Sequence, residues 1–237
     1  MSFITGIGWI SAQNAGRGRR NDNFKMAQGE LPSISRKTGF QTSYPRFGRM
    51  DAFSKLGVSA VGLALQDARL NEWTAKREVG LVVATVYGCL QTDLDYFETV
   101  LPEDGAFSSP ALFSYTLPNC FLGEAAARFG LTGPGYVVSR QNNAGLSSVE
   151  AVLEDMDCTG LEIALAGICD LGCPPNFPDD AHIIPGAAFM VLEKDPVVSQ
   201  KSYGTLHLNR SRQILFNKSK ISDFRSLMEA CMKQIWE

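Results

Sequence analysis

The stretch with the most chemical character is Gly133-Pro134-Gly135-Tyr136-Val137-Val138-Ser139-Arg140-Gln141-Asn142-Asn143-Ala144-Gly145-Leu146. It reads as a tight turn, a short β-rich strand, a polar elbow and a helix that starts near Gly145. An elbow of this kind presents one side chain at a helix N-terminus, where backbone N–H groups and the helix dipole favour developing negative charge. Catalytic elbows put a nucleophile there. This one holds amides: Gln141, Asn142 and Asn143. Carboxamides do not titrate; they can polarise a carbonyl, and Asn caps a following helix well. The frame of an active site is present without its nucleophile.

No second group of residues supplies one. His182 and His207 have no nucleophile in sequence context. The cysteines at 89, 120, 158, 169, 173 and 231 sit mostly among apolar or small residues and read as reduced, largely buried thiols. Cys169 follows a strand-like run, where a displaced nucleophile is conceivable, but a small core residue is the commoner occupant. Cys169-x-x-x-Cys173 has no second ligand pair, so no metal is expected, and no cofactor is expected either.

The elements that must position the elbow follow from periodicity. Phe3–Ile10 is an apolar strand containing Gly6 and Gly8, and residues 12–44, rich in Gly, Ser, Asn, Arg and Lys, read as a long loop. Asp51–Leu70 is the clearest helix, with Phe53, Leu56, Ala60, Ala64 and Leu65 at helical spacing. Val79–Val86 is β-branched and fit for a buried parallel strand. Helices are expected at Leu90–Leu101, Asn119–Phe129 and Leu146–Asp157; strands at Tyr136–Ser139, Leu161–Ala166, Gly186–Leu192 and Tyr203–Leu208. A C-terminal amphipathic helix at about 223–236 places Phe224, Leu227, Met228, Cys231, Met232, Ile235 and Trp236 on one face. Strands alternating with helices predict a single α/β domain over 1–237, a layered mixed sheet with helices on both faces.

Composition sets outer bounds. A 45% hydrophobic, 20% charged chain is that of an ordinary globular protein, and no apolar run is long enough to span a bilayer. The N-terminus has no basic leader and reads as a mature strand, so a cytoplasmic protein is expected. The net charge of −3 favours neither nucleic acid nor membrane. Residues 1–56 nevertheless carry nine Lys/Arg against three acids, a basic front that suits an acidic protein partner.

A family resemblance rests on several of these segments in order. They are Ile4-Thr5-Gly6-Ile7-Gly8, Arg49-Met50-Asp51-Ala52-Phe53-Ser54-Lys55-Leu56 with Ala64-Leu65-Gln66-Asp67-Ala68, and Val82-Val83-Ala84-Thr85 with Tyr87-Gly88. Ser109-Pro110-Ala111-Leu112-Phe113, Thr116-Leu117-Pro118-Asn119, Arg128-Phe129-Gly130-Leu131-Thr132-Gly133-Pro134, Leu165-Ala166-Gly167 and Pro185-Gly186-Ala187-Ala188-Phe189-Met190-Val191-Leu192-Glu193 continue it. Together these resemble the N-terminal half of the β-ketoacyl-ACP synthases, so the resemblance implies a thiolase-like half-fold. Aligned without gaps, Asn142 stands where that family has its cysteine. A shift of one residue puts Gln141 there, as in the family's chain-length-factor and decarboxylating members, and both alignments remain open. The family's catalytic histidines lie in a C-terminal half with no counterpart in this sequence.

The resemblance implies a non-catalytic or auxiliary, chain-length-factor-like subunit in fatty-acid, polyketide or aryl-polyene-type biosynthesis. Two alternatives stand beside it: an acyltransferase or malonyl decarboxylase working through the amides at 141–143, and a module that binds a carrier protein or acyl chain. It further implies carrier-protein docking by Arg17, Arg19 and Arg20. Through Tyr136, Val137 and Val138 it implies a homodimer, or a heterodimer with a full-length synthase. No nucleic-acid or membrane partner is expected.

Overall fold

The structure is a computed structural model, and it describes the chain apart from residues 21, 41, 140–144, 176, 178–182, 197–200 and 235–237. In chain order the elements are β1 (Ser2–Ser11), β2 (Ala15–Arg17), α1 (Arg36–Gly39), α2 (Ala52–Asp67), β3 (Val79–Thr85), α3 (Leu90–Val100), α4 (Pro110–Phe113), α5 (Cys120–Phe129), β4 (Gly135–Ser139), α6 (Ser147–Thr159), β5 (Ile163–Asp170), β6 (Gly186–Glu193), β7 (Gly204–Leu208), β8 (Ile214–Phe216), β9 (Ser219–Lys220) and α7 (Phe224–Lys233).

The nine strands form one sheet in the order β4-β3-β5-β6-β1-β7-β8-β9, with β2 on the far half of β1. Strand β3 is parallel to both β4 and β5, and every other pair is antiparallel. Strands β3 and β6 are buried along their whole length, as β-branched and small apolar runs require when both faces are covered.

Alternating side chains feed two cores, one on each face. Leu81, Val83, Leu165, Phe189 and Val191 join Phe53, Leu56, Ala60, Ala64 and Phe121 of α2 and α5. Val82, Ala84, Ala166, Met190 and Leu192 join Val149, Val152, Leu153 and Met156 of α6 and Phe224, Leu227, Met228 and Cys231 of α7. The mixed sheet with helices on both faces thus stands as the sequence predicts. A register shift in the β1–β6 ladder between Ile4 and Gly6 puts Ile4, Ile7 and Trp9 into the same core.

Helix α2 lies unusually close to β1. A Cβ on Gly6 would sit 2.5 Å from the Ala68 amide and 2.6 Å from the Ala64 carbonyl, and one on Gly8 would run into the Ala64 amide. The two glycines and the helix face of Ala64 and Ala68 are therefore one contact. Asp51 caps the helix by accepting from the Ser54 N–H at 2.9 Å. At the other end Asp67, 1% exposed, accepts from the Ile7 N–H at 2.9 Å, the Arg19 N–H at 2.7 Å and the Tyr203 hydroxyl at 2.5 Å. Burial pushes the Asp67 carboxyl up, against those three donors and the Arg19 charge, which favour its ionised form.

One expectation needs correction, and one element goes unread. The 12–44 stretch is not one loop, since it contains β2 and α1. The hairpin β8–β9 has no counterpart in the sequence reading. Its turn residues Asn217 and Lys218 have φ of 46° and 71°, and a lysine there gives no turn signal.

Gly8→Ala tests the helix–strand contact. We expect about 3 kcal/mol of destabilisation or more, because the added methyl meets backbone and cannot be relieved by a rotamer change. Thermal unfolding followed by circular dichroism measures it; Gly48→Ala, where an added Cβ meets nothing within 4 Å, is the control.

Candidate functional site

Strands β4, β3 and β5 end together: Thr85 is in register with Ser139, and Ala84 with Ile168. The chain leaving β4 enters α6, so the first turn of α6 lies at this same edge. Ligands of open α/β sheets bind outside the carboxyl ends of the strands. The amides Gln141, Asn142 and Asn143 fall in this connection but lie outside the described residues, so only its two flanks are described. On the β4 side Ser139 is exposed. On the α6 side Gly145 has φ of 65°, and the N-cap position is Leu146, whose side chain caps nothing.

The neighbouring loop is held by one buried acid. Asp170, the last residue of β5 and 1% exposed, accepts from the Thr85 hydroxyl at 2.8 Å and from the N–H groups of Val86 and Tyr87 at 2.9 and 3.0 Å. Thr85 in turn accepts from the Gly88 N–H at 2.8 Å, and Gly88 has φ of 55°. This relay fixes the tight loop after β3 to the end of β5. The sequence reading missed Asp170; the available signal is an acid that closes an otherwise apolar run from Ile163.

Two cavities flank the region. A small one of about 180 Å³ is lined by Tyr87, Gly88, Gln91, Leu171, Cys173 and Pro174 among others. A larger open cleft of about 1220 Å³ lies between the Pro45–Arg49 turn, α4 and the start of α5. Its floor holds Glu124, 7% exposed, which accepts from the Tyr44 hydroxyl at 2.7 Å, Arg46 at 2.9 Å and the Tyr115 hydroxyl at 3.2 Å. Burial, and then the Glu124 hydrogen bond and charge, push the Tyr44 phenol up. This cluster was also missed, because its members are scattered over 80 positions of sequence.

Cys169, Cys89 and Cys120 are not set up as nucleophiles. Cys169 is fully buried in β5, and burial, then the nearby Asp170 and Asp51 charges, push its thiol well up. Cys89 is pushed up to about 12 by burial and by Asp93 and Asp51. Cys120, on the cleft wall, donates to the Ser114 carbonyl at 3.2 Å and is also pushed up by burial. His207 stands exposed on β7, and His182 lies outside the described residues. Among the described residues no group of three potential metal ligands occurs.

The basic run has unequal members. The Arg19 guanidinium donates to the carbonyls of Thr5 and Asp67 at 2.8 Å and of Lys201 at 2.6 Å, beside the Tyr203 ring. Arg17 donates to the Gln66 side chain at 3.2 Å, and Arg20 is 66% exposed with Asp22 at 4.0 Å. Tyr136, Val137 and Val138 are half-buried on β4, an edge strand whose one ladder among the described residues is with β3. The Tyr136 hydroxyl donates to Asp155 at 2.6 Å.

Comparison with known proteins gives the context of this geometry. The chain matches many solved structures in fold, and a thiolase-like fold is common to those named here. One is the ishigamide ketosynthase/chain length factor, at a TM-score of 0.68 and 18% identity over 86% of this chain and 62% of that one. Another is AntDE:AntF, a type II polyketide synthase acyl-carrier protein in complex with its ketosynthase bound to the hexaketide, at 0.63 and 19% over 81% and 62%. A third is the ketosynthase ApeO in complex with its chain length factor ApeC from Xenorhabdus doucetiae, at 0.60 and 15% over 100% of this chain and 92% of that one. The chain thus spans about 62% of the length of the first two and nearly all of a chain in the third. No curated protein matches the sequence. The family profile "Beta-ketoacyl synthase, N-terminal domain" matches residues 25–177, more than half of the chain, and the chain belongs to that family.

Asp170→Ala removes the acceptor that three donors share. We expect about 3 kcal/mol of destabilisation from donors left buried and unpaired. Hydrogen exchange should speed up at Val86 and Tyr87 well before it does at β6. Asp170→Asn, which keeps an acceptor oxygen, should lose much less.

Proposed function

We propose that the chain is an auxiliary subunit of the chain-length-factor kind, working beside an active ketosynthase in fatty-acid, polyketide or aryl-polyene-type synthesis. The observation that carries this reading is the connection between β4 and α6. Its residues are Arg140-Gln141-Asn142-Asn143-Ala144-Gly145-Leu146, with no thiol, hydroxyl or imidazole to accept an acyl group. The length match with a chain of the ApeO–ApeC structure is in keeping with it. As a single domain with six unpaired cysteines, the protein suits a reducing compartment, and we place it in the cytoplasm. Among the described residues no helix is long and apolar enough to cross a membrane.

A partner is proposed on two surfaces. Along β4 the free edge carries Tyr136, Val137 and Val138, and a twin strand or a synthase strand would complete the ladder. Between α3 and α5, Phe97, Leu101, Phe107, Phe113 and Leu117 are each more than half exposed, an apolar burden that marks an interface. Carrier-protein docking is assigned to the basic front. There Arg17 and Arg20 keep guanidinium groups less committed to the fold than Arg19 does.

Incubation with an acyl thioester or acyl carrier protein, followed by intact-mass measurement, should show no stoichiometric adduct on any of the six cysteines. An adduct sinks the auxiliary reading; release of carbon dioxide from a malonyl thioester without an adduct favours the decarboxylase instead.

Val137→Lys should break the β4 interface. A lysine buried there without a partner costs about 3 kcal/mol or more. Light scattering of the chain alone and with a co-expressed synthase reads this as dissociation. A variant complex as tight as the original places the interface elsewhere.

A further inference from the structure

A cavity of about 330 Å³ opens between the 31–34 segment, the first turn of α2 and Leu171. Its described walls are apolar, from Leu31, Pro32, Ile34, Ala52 and Leu171, except for Ser33 and Lys55. Leu31, Ile34 and Leu171 are half-buried and pack on the core beneath α2. Lys55 is half-buried too, and its side chain makes no ion pair or hydrogen bond among the described residues. The acids beside it in the chain are committed elsewhere. Asp51 accepts from the Ser54 N–H at 2.9 Å and from the Thr92 hydroxyl at 2.6 Å. Asp170, which precedes Leu171, accepts from Thr85, Val86 and Tyr87. The position is unfavourable for a cation in a second way. Lys55 stands in the first turn of α2, at the positive end of the helix dipole. One side chain on the wall of an apolar cavity thus carries two costs, partial desolvation without a partner and a dipole of the wrong sign. Leu171 directly follows β5, so the cavity lies at the carboxyl edge of the strands, where ligands of such sheets bind.

We propose that this cavity binds a medium-chain aliphatic acid, with Lys55 holding its carboxylate and Leu31, Ile34 and Leu171 taking its tail. A single ammonium is a point charge and matches a monoanion. The described walls are aliphatic and hold no aromatic ring, which fits a saturated chain and gives a flat ring nothing to stack on. The volume is at the small end of the range for ligand sites, so a short chain fits and a large cofactor does not. The bound carboxylate relieves both costs at Lys55, because it supplies the missing partner and its charge suits the start of a helix. The proposal does not depend on whether the chain is auxiliary or catalytic.

The test is titration of 15N-labelled full-length protein with sodium butanoate, hexanoate and octanoate, against sodium chloride at matched ionic strength and against 1-octanol. We expect saturable shifts of the Leu31, Ile34, Lys55 and Leu171 amides with the acids and none with chloride. Affinity should rise along the series by up to about fourfold for each added methylene that the walls bury. Lys55→Gln keeps much of the stem and removes the charge; it should weaken octanoate binding about tenfold or more, the loss of one hydrogen bond between charged groups, and leave 1-octanol unaffected. Ala52→Phe, at an exposed position on the cavity wall, should block both ligands with the fold intact by circular dichroism. A lysine that merely lays its stem over the core predicts no preference for the anion over the alcohol. Absence of saturable shifts at millimolar octanoate, shifts centred instead on Phe97, Leu101 and Phe113, equal affinity for 1-octanol, or unchanged affinity in Lys55→Gln each overturns the proposal. Failure here would leave the subunit assembly and the absence of acyl transfer to be judged by their own measurements.

Discussion

The close approach of α2 to β1 is the constraint on which the rest of the molecule is built. Strand β1 is the hub of the sheet: it pairs with β6 on one side and with β7 and β2 on the other. It can be a hub only if the helix covering it lies flat. Gly6 and Gly8 allow this by presenting no side chain to Ala64 and Ala68. Once α2 is seated, Asp67 is carried below the solvent boundary and must be paired. The Ile7 and Arg19 N–H groups and the Tyr203 hydroxyl do so, which draws the Arg17–Arg20 segment and the entry to β7 onto the same anchor. A single small-residue contact thus decides where both edges of the β1 region attach.

That anchor also explains why the basic run divides. Seen as sequence, Arg17, Arg19 and Arg20 are equivalent cations. In the fold, Arg19 closes a buried polar cluster by donating to three carbonyls, a task suited to the rigid fork of guanidinium donors. Its neighbours point elsewhere because the short turn Gly18–Arg20 sends successive side chains in different directions.

Much of the fold was legible because its signals are local. The burial of β3 follows from Val79–Thr85, and the span of α2 from Phe53, Leu56, Ala60 and Ala64. The interior alternation that feeds both cores follows from period two. What stayed hidden is non-local. Asp170 meets Thr85 across 85 positions, and Glu124 meets Tyr44 across 80, distances over which a single sequence carries no pairing signal. Lys55 escaped for a different reason. In sequence it is one cation of the basic front, and only the structure shows that it stands on a cavity wall without a partner among the described residues. The amides Gln141, Asn142 and Asn143 are known by type and order from the sequence, and they lie outside the described residues.

The elbow and the open edge of the sheet are coupled by the chain itself. Strand β4 ends at Ser139, and the next residue belongs to the connection that carries Gln141, Asn142 and Asn143. A strand that pairs along the free edge of β4 therefore ends its ladder within a residue of the elbow. The register of that ladder would then set where the amides stand relative to the partner. On the auxiliary reading proposed above, this connection needs no closed site of its own, because no acyl transfer there has to be shielded from water. It gains a use if its amides face an acyl group held by another chain. The features that look deficient in isolation, an unpaired edge strand and exposed aromatic side chains from Phe97 to Phe113, are the ones an assembly would satisfy together.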